Sequence, residues 1–296
     1  MNNLYGKKIF LDNQNSISLV EKLKKNYKDV SMLESVIGGD NKGRFTIIFF
    51  NSLEEIKIYK SHVIENGVEK KFHSHKDYIE SIYSNYQVNI FYKEAIPLPI
   101  IIGNLSFDLC KFTLPKLTYN ENKNTIGIPL AHFVKPKNLI IIDNILNQVH
   151  LIDISNNRNK SIKYIEKLNN IINNEKTNFK KVKVKIFNKK FKPLMSKNSF
   201  LKKVNLIKKE ITKGEIFQAV LSQRFENDYK IDSFNFYRAL RSINPSPYLV
   251  YLNFSEYQII CSSPETMIKV NDDLVTLRPI AGTRKRGKTN EEDEFN

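Results

Sequence analysis

The chain has 296 residues, enough for one large domain or two ordinary ones, and 41% of them are hydrophobic, which excludes a disordered polymer. The formal net charge is +16, but only 8 of the 47 basic residues are Arg and the lysines run along the whole chain. With so many Lys, Asn and Ile residues, this charge reads as the codon usage of an AT-rich genome and not as a nucleic-acid surface. The longest apolar runs, Phe45–Phe50 and Pro97–Ile102, are strand length and far short of the roughly 20 residues of a membrane span. The opening "MNNLYGKKIFLDNQN" lacks the apolar core of a signal peptide, and Cys110 and Cys261 make neither a disulfide nor a metal pattern. No nucleic acid and no membrane are expected as partners, and the expected location is cytoplasmic.

In chain order, residues 17–28 put Ile17, Val20 and Leu23 on one helical face. Glycines then mark turns before "RFTIIFF", a buried strand. Short strands follow, among them "VNIFY", "LPIIIGNLSF" and "NLIIIDN". Residues 161–174 have helical spacing, but 155–180 is rich in Asn and Lys, so a linker is placed at 156–190 between domains at 1–155 and 191–296. Ser196 or Asn198 can cap a helix carrying Phe200, Val204, Ile207 and Ile211, with Gly214 at its end. "EIFQAVLSQRFE" alternates like a strand that carries Gln218. A helix from Phe234 to Ile243 stops before Asn244-Pro245. "YLVYLNF", "QIICSS", "TMIKV" and "LVTLRPI" then read as a meander with turns at Ser255-Glu256 and Asn271–Asp273. The predicted class is α+β, with antiparallel sheets packed as a sandwich among helices.

Generic chemistry is sparse. There is no P-loop and no dinucleotide glycine fingerprint, and His73 and His75 lie in a Lys-rich stretch as two solvated histidines. The meander is the best place for a site. Gln218 is a neutral polar residue in mid-strand, Glu265 follows Ser-Ser-Pro at a strand end, and Gly282-Thr283 follow another Pro. Each has a plainer reading: a cross-strand hydrogen bond, a solvated loop acid, a simple turn.

Four motifs in order, "GEIFQAVLSQRF" (214–225), "FYRALRSINPSPYLVYLNF" (236–254), "SSPE" (262–265) and "RPIAGTRKRG" (278–287), together resemble component I of anthranilate synthases, a branch of the chorismate-utilising enzyme family. "MLESVIGGDNKGRFTII" (32–48) is similar to the Leu-Leu-Glu-Ser segment of that component, whereas 51–195 matches loosely. The resemblance implies addition of ammonia to chorismate, loss of the C4 hydroxyl and elimination of pyruvate. The ammonia would come from glutamine through a glutamine amidotransferase subunit (component II), with Mg²⁺ as cofactor. Glu265 would be the general acid toward the departing hydroxyl, and Gly282 and Thr283 would hold chorismate. Gln218 stands where isochorismate-type enzymes carry a water-activating lysine. Ala281 stands where aminodeoxychorismate synthases commonly carry another lysine. Both departures point to anthranilate synthase.

The N-terminal match implies feedback inhibition by tryptophan. Ser35 would lie on one wall of the inhibitor pocket and Pro247, Tyr248 and Leu249 on the other, with Glu34 adjacent. The resemblance assigns 1–155 to the regulatory domain and 191–296 to the first part of an incomplete catalytic domain. The family's metal ligands are expected beyond residue 296, so none is assigned here. Glu291 to Glu294 match the acidic start of a helix. An N-terminal portion of this kind would be inactive alone. The competing readings are a non-catalytic tryptophan-binding or glutaminase-docking remnant and an aminodeoxychorismate synthase.

Overall fold

The computed structural model describes residues 2–10, 15–35, 43–84, 86–114, 126–175, 190–280, 282 and 285–295. In chain order the elements are β1 (Asn2–Phe10), α1 (Ser16–Lys24), β2 (Ser31–Glu34), β3 (Phe45–Ile58), β4 (Val63–Glu65), β5 (Val68–Lys70), α2 (His75–Ser84), β6 (Val88–Ile90), β7 (Ile102–Leu105), α3 (Cys110–Thr113), β8 (Ala131–Asp143), β9 (Gln148–Ser155), α4 (Arg158–Asn174), β10 (Lys192–Pro193), α5 (Lys197–Lys213), β11 (Phe225–Glu226), α6 (Ser233–Ile243), β12 (Tyr248–Asn253), β13 (Gln258–Ser263), β14 (Lys269–Asn271), β15 (Leu274–Thr276) and α7 (Asn290–Phe295). The expected α+β class with antiparallel pairing holds. The chain divides into a compact unit of 1–179 with 236–264, and a second of 180–235 with 265–296.

The first unit is built on one hydrogen-bonded sheet whose main path runs β13-β12-β2-β3-β8-β9-β1-β6. Every pairing on that path is antiparallel except β1 with β6. All of β8 is buried except Lys137, so both of its faces are covered. This explains its near-continuous apolar run "NLIII". Its buried polar side chains are paired: Lys135 Nζ donates to Glu54 at 2.6 Å, and Asn138 Nδ2 to Asp153 at 2.7 Å. Leu4, Phe49, Leu139, Ile141, Ile152 and Leu252 share one core cluster. Full burial of each such side chain stabilises by about 1.5–3 kcal/mol.

Helix α1 starts at a capping box in which Asn15 Oδ1 accepts from Ser18 N at 2.9 Å and Ser18 Oγ faces Asn15 N at 3.2 Å. It ends at Lys24, short of the predicted 28, and buries Leu19, Val20 and Leu23.

Two boundaries differ from the sequence expectation. The stretch read as a linker at 156–190 contains α4, which packs on β9 and β1 and buries Ile165, Leu168, Ile171 and Ile172. The Asn- and Lys-rich outer face of that helix dominates its composition and hides the apolar stripe. Residues 236–264, assigned to the later domain, instead belong to the first unit. The cause is a long-range pairing: Leu249, Val250 and Tyr251 of β12 lie opposite Glu34, Leu33 and Met32 of β2. No local pattern encodes such a partner.

In the second unit, Ser196 caps α5 by accepting from Ser199 N at 3.3 Å, and Gly214 closes it at φ +81°, as read from the sequence. The hairpin β14-β15 is a separate two-stranded sheet with Asp272 at φ +49° in its turn. The predicted four-strand meander is therefore two hairpins in two sheets.

Candidate functional site

The predicted chorismate-side residues all fall in the second unit. Gln218 is exposed and lies in neither helix nor strand, because the alternating segment around it pairs only at Phe225–Glu226, with β10. Glu265 directly follows β13 and Pro264 and is also exposed. Gly282 sits in open space, where an added Cβ would meet nothing within 4 Å. Among the described residues no neighbour requires glycine there, and its φ is not positive. Ala281 and Thr283 lie outside the described residues. Since β13 and β14 belong to different sheets, strand pairing does not bring these positions onto one surface.

At the N-terminal match the structure holds a better-defined cavity. A cavity of about 320 Å³ in the first unit is lined by Asn15, Ser16, Glu34, Ser35, Asn144 and Arg241, among others. Glu34 ends β2, and its side chain is 3% exposed. Ser16 Oγ donates to its Oε2 at 3.0 Å, while Arg241 Nε (2.6 Å) and Tyr237 OH donate to Oε1. Tyr237 and Arg241 are four residues apart on α6, so one helical face delivers both. Burial, and then the Glu34 carboxylate, push the Tyr237 phenol far above its ordinary pKa. Ser35 Oγ is buried with no hydrogen-bond partner among the described residues. A cavity-lining hydroxyl in that state can bond a polar ligand.

The opposite wall is only partly built as expected. Leu249 is 1% exposed and pairs in register with Glu34. Continuing that register puts Tyr248, 40% exposed, beside Ser35. Pro247 is half-buried. None of these three lines the cavity. The turn before them is pinned by Ser262, whose Oγ donates to Asn244 O at 2.6 Å and lies 2.8 Å from Ser246 Oγ. Sequence reasoning missed Tyr237, Arg241 and Ser16. The spacing of Tyr237 and Arg241 was a visible signal, but their partner Glu34 lies about two hundred residues away.

Among the described residues no group of three or more His, Cys, Asp or Glu side chains is placed to hold a metal. No helix among them is long and apolar enough to cross a membrane.

A sequence profile for the chorismate binding enzyme family matches residues 34–296. The chain belongs to that family. It is 33% identical to anthranilate synthase component 1 of Acetivibrio thermocellus over 97% of this chain and 60% of that relative. It is 30% identical to the protein of the same name from Lactococcus lactis, over 97% of this chain and 63% of the relative. The chain thus spans about three-fifths of the curated relatives it matches. Among solved structures, anthranilate synthase component I from Streptococcus pneumoniae superposes with a TM-score of 0.62 at 25% identity, covering 81% of this chain and 55% of that one. The menaquinone-specific isochorismate synthase of Escherichia coli superposes with a TM-score of 0.55 at 11% identity, covering 100% of this chain and 58% of that one, a likeness of fold alone.

Proposed function

We propose that this family member is component I of an anthranilate synthase, a cytoplasmic enzyme. It would convert chorismate and ammonia to anthranilate and pyruvate, with the ammonia supplied by a glutaminase subunit. The observation that carries the reading is the match to relatives of that name along 97% of the chain. Gln218 and Ala281 support it, because neither side chain can do the lysine chemistry of the sibling enzymes.

In this reading ammonia attacks the ring, the C4 hydroxyl leaves as water with a proton from Glu265, and a second step eliminates pyruvate. Hydroxide is a poor leaving group, so a positioned acid contributes about 10²–10⁴-fold. Gln218 faces the nucleophile as a neutral amide, and Gly282 and Thr283 hold chorismate. Mg²⁺ belongs to the same reading, with no residue described here assigned to it. Feedback inhibition by tryptophan uses Ser35, Pro247, Tyr248 and Leu249, and the Glu34–Ser35 cavity supports it.

The exposure of Gln218 and Glu265 favours a second reading for residues 1–296 alone: a tryptophan-binding polypeptide without turnover. Two measurements separate the readings. Anthranilate fluorescence is followed with chorismate, ammonium and Mg²⁺, and tryptophan is titrated calorimetrically. Turnover by the purified chain supports the first, and binding without turnover supports the second. A different aromatic product from chorismate rejects the anthranilate assignment.

A further inference from the structure

We propose that the first unit holds a further small-molecule site, at the start of β2, that takes a primary ammonium ion on a short apolar stem. The site is a cavity of about 240 Å³ whose lining includes the polar Asp29, Ser31 and Glu55 and the apolar Phe49, Val134 and Phe254. It shares no lining residue with the Glu34–Ser35 cavity at the other end of β2. Its volume equals the liquid share of about eight waters, which suits a small ligand.

An irregular strand makes this cavity. Residues three apart on a regular strand point to opposite faces. Phe49, Ser52 and Glu55 nevertheless all line it, because Asn51 stands at φ +54° and the register of β3 against β8 shifts between Ser52 and Glu54. Asn253 fixes the wall contributed by the end of β12: its N donates to Ser31 Oγ at 2.9 Å and its Nδ2 to Lys28 O at 2.7 Å. Ser31 is 1% exposed. A hydroxyl has two acceptor lone pairs, and among the described residues only Asn253 N uses one of those on Ser31.

The two carboxylates also keep capacity for a cation. Glu55 Oε1 lies 2.8 Å from His132 Nε2, but Oε2 has only Lys57 Nζ at 3.7 Å, beyond hydrogen-bond reach. Lys57 instead donates to Glu256 at 2.8 Å. Burial, with a smaller push from Glu55, raises the Asp29 pKa against the bonds it takes from backbone amides, so a cation beside it would relieve a cost already present. An ammonium has three donors, which match Asp29, Ser31 and Glu55, and the apolar walls suit a carbon stem. The inference stands on this cavity and not on the anthranilate assignment, and its test needs no turnover.

The full chain is titrated calorimetrically with n-butylammonium, with n-butanol as the uncharged control, and amide exchange maps the contact. One ammonium per chain is expected, with exchange slowed at Ser31 and Asn253 and unchanged at Ser35. Butanol should bind about tenfold more weakly or worse, and Glu55→Gln and Asp29→Asn should each weaken the amine by about tenfold or more. Because Glu55 also touches His132, Ser52→Phe is a second arm. Ser52 is exposed and lines the cavity, so the added ring should block it and abolish binding while exchange in β8 stays unchanged. Equal affinity for butanol, unaltered binding by Ser52→Phe, protection centred on Ser35, or no saturable binding overturns the proposal.

Discussion

Arg241 Nε donates to Glu34 Oε1 at 2.6 Å, joining residues 207 positions apart. This bond fastens α6 to the end of β2 and closes one side of the cavity that Ser35 lines. Glu34 is 3% exposed and Arg241 34%, so the two ends of the pair are unequal in cost. Removing the carboxylate takes away the buried acceptor that Tyr237 OH and the Arg241 guanidinium share. Glu34→Ala is expected to destabilise the first unit by about 2–4 kcal/mol. Arg241→Met leaves Glu34 with Ser16 and Tyr237 and should cost about 1 kcal/mol or less. Urea unfolding followed by amide exchange in β8 measures both. Equal losses would show that Glu34 is not the hub.

Ser35 gives a prediction of opposite sign for stability and binding. Its hydroxyl is buried and has no partner among the described residues, so Ser35→Ala removes an uncompensated polar atom. The melting temperature should hold or rise, corresponding to roughly 0–1 kcal/mol. Under the proposed regulatory function, tryptophan affinity should fall about tenfold, the effect of losing one hydrogen bond to a charged ligand group. Calorimetric titration of the wild type and the variant decides this. Unaltered affinity with unaltered stability would leave the Ser35 hydroxyl without a role in that pocket.

Local signals carried much of the fold. Ser196 and Gly214 mark both ends of α5, and the turns at Ser255 (φ +65°) and Asp272 (φ +49°) stand where the sequence puts them. What escaped is non-local. The pairing of β12 with β2 moved 236–264 into the first unit, and α4, whose helical spacing at 161–174 was legible, packs on β9 and β1 where a linker was expected. The site divides the same way. Of the residues named through motif resemblance, Ser35 lines the cavity, whereas Leu249 pairs with Glu34 of β2 and does not line it. Tyr237 and Arg241 matter through a carboxylate that no short window contains. Gln218 was read as a strand residue because alternation specifies a pattern and not the partner a ladder requires.

Two glycines should respond differently to the same methyl group. At Gly103 an added Cβ would lie 2.1 Å from the His132 carbonyl oxygen and 2.9 Å from Phe133 Cα, both backbone atoms that cannot swing aside. Gly103→Ala is expected to cost about 1–3 kcal/mol or more by forcing β7 away from β8. At Gly282 the added Cβ meets nothing, so Gly282→Ala should leave stability within about 0.5 kcal/mol. Thermal melts of the two variants make the comparison. A large loss at Gly282 would mean that the turn is packed in a way the present geometry does not contain.

Acid should weaken the first unit in a window set by its histidines. His132 is fully buried, with Nδ1 2.8 Å from Tyr257 OH, Nε2 2.8 Å from Glu55 Oε1, and its ring stacked on Phe254 at 3.9 Å. Burial holds its pKa below the ordinary value, outweighing the opposing pull of Glu55. His75, expected from its Lys-rich stretch to be solvated, is instead buried, and it and His150 shift the same way, also chiefly through burial. The unfolded chain, with histidine pKa near 6.5, therefore binds protons that the folded chain refuses. Stability is fully present above about pH 6.5 and declines as pH falls toward the depressed folded values. Asp29 acts in the opposite sense, because burial raises its pKa, but it titrates in the carboxylate range below this window. The urea midpoint for exchange in β8 should fall between pH 7.5 and 5.5, and His132→Gln should flatten that slope whatever it does to the absolute midpoint. A wild-type midpoint that stays level across this range would mean that the buried rings are not what resists protonation.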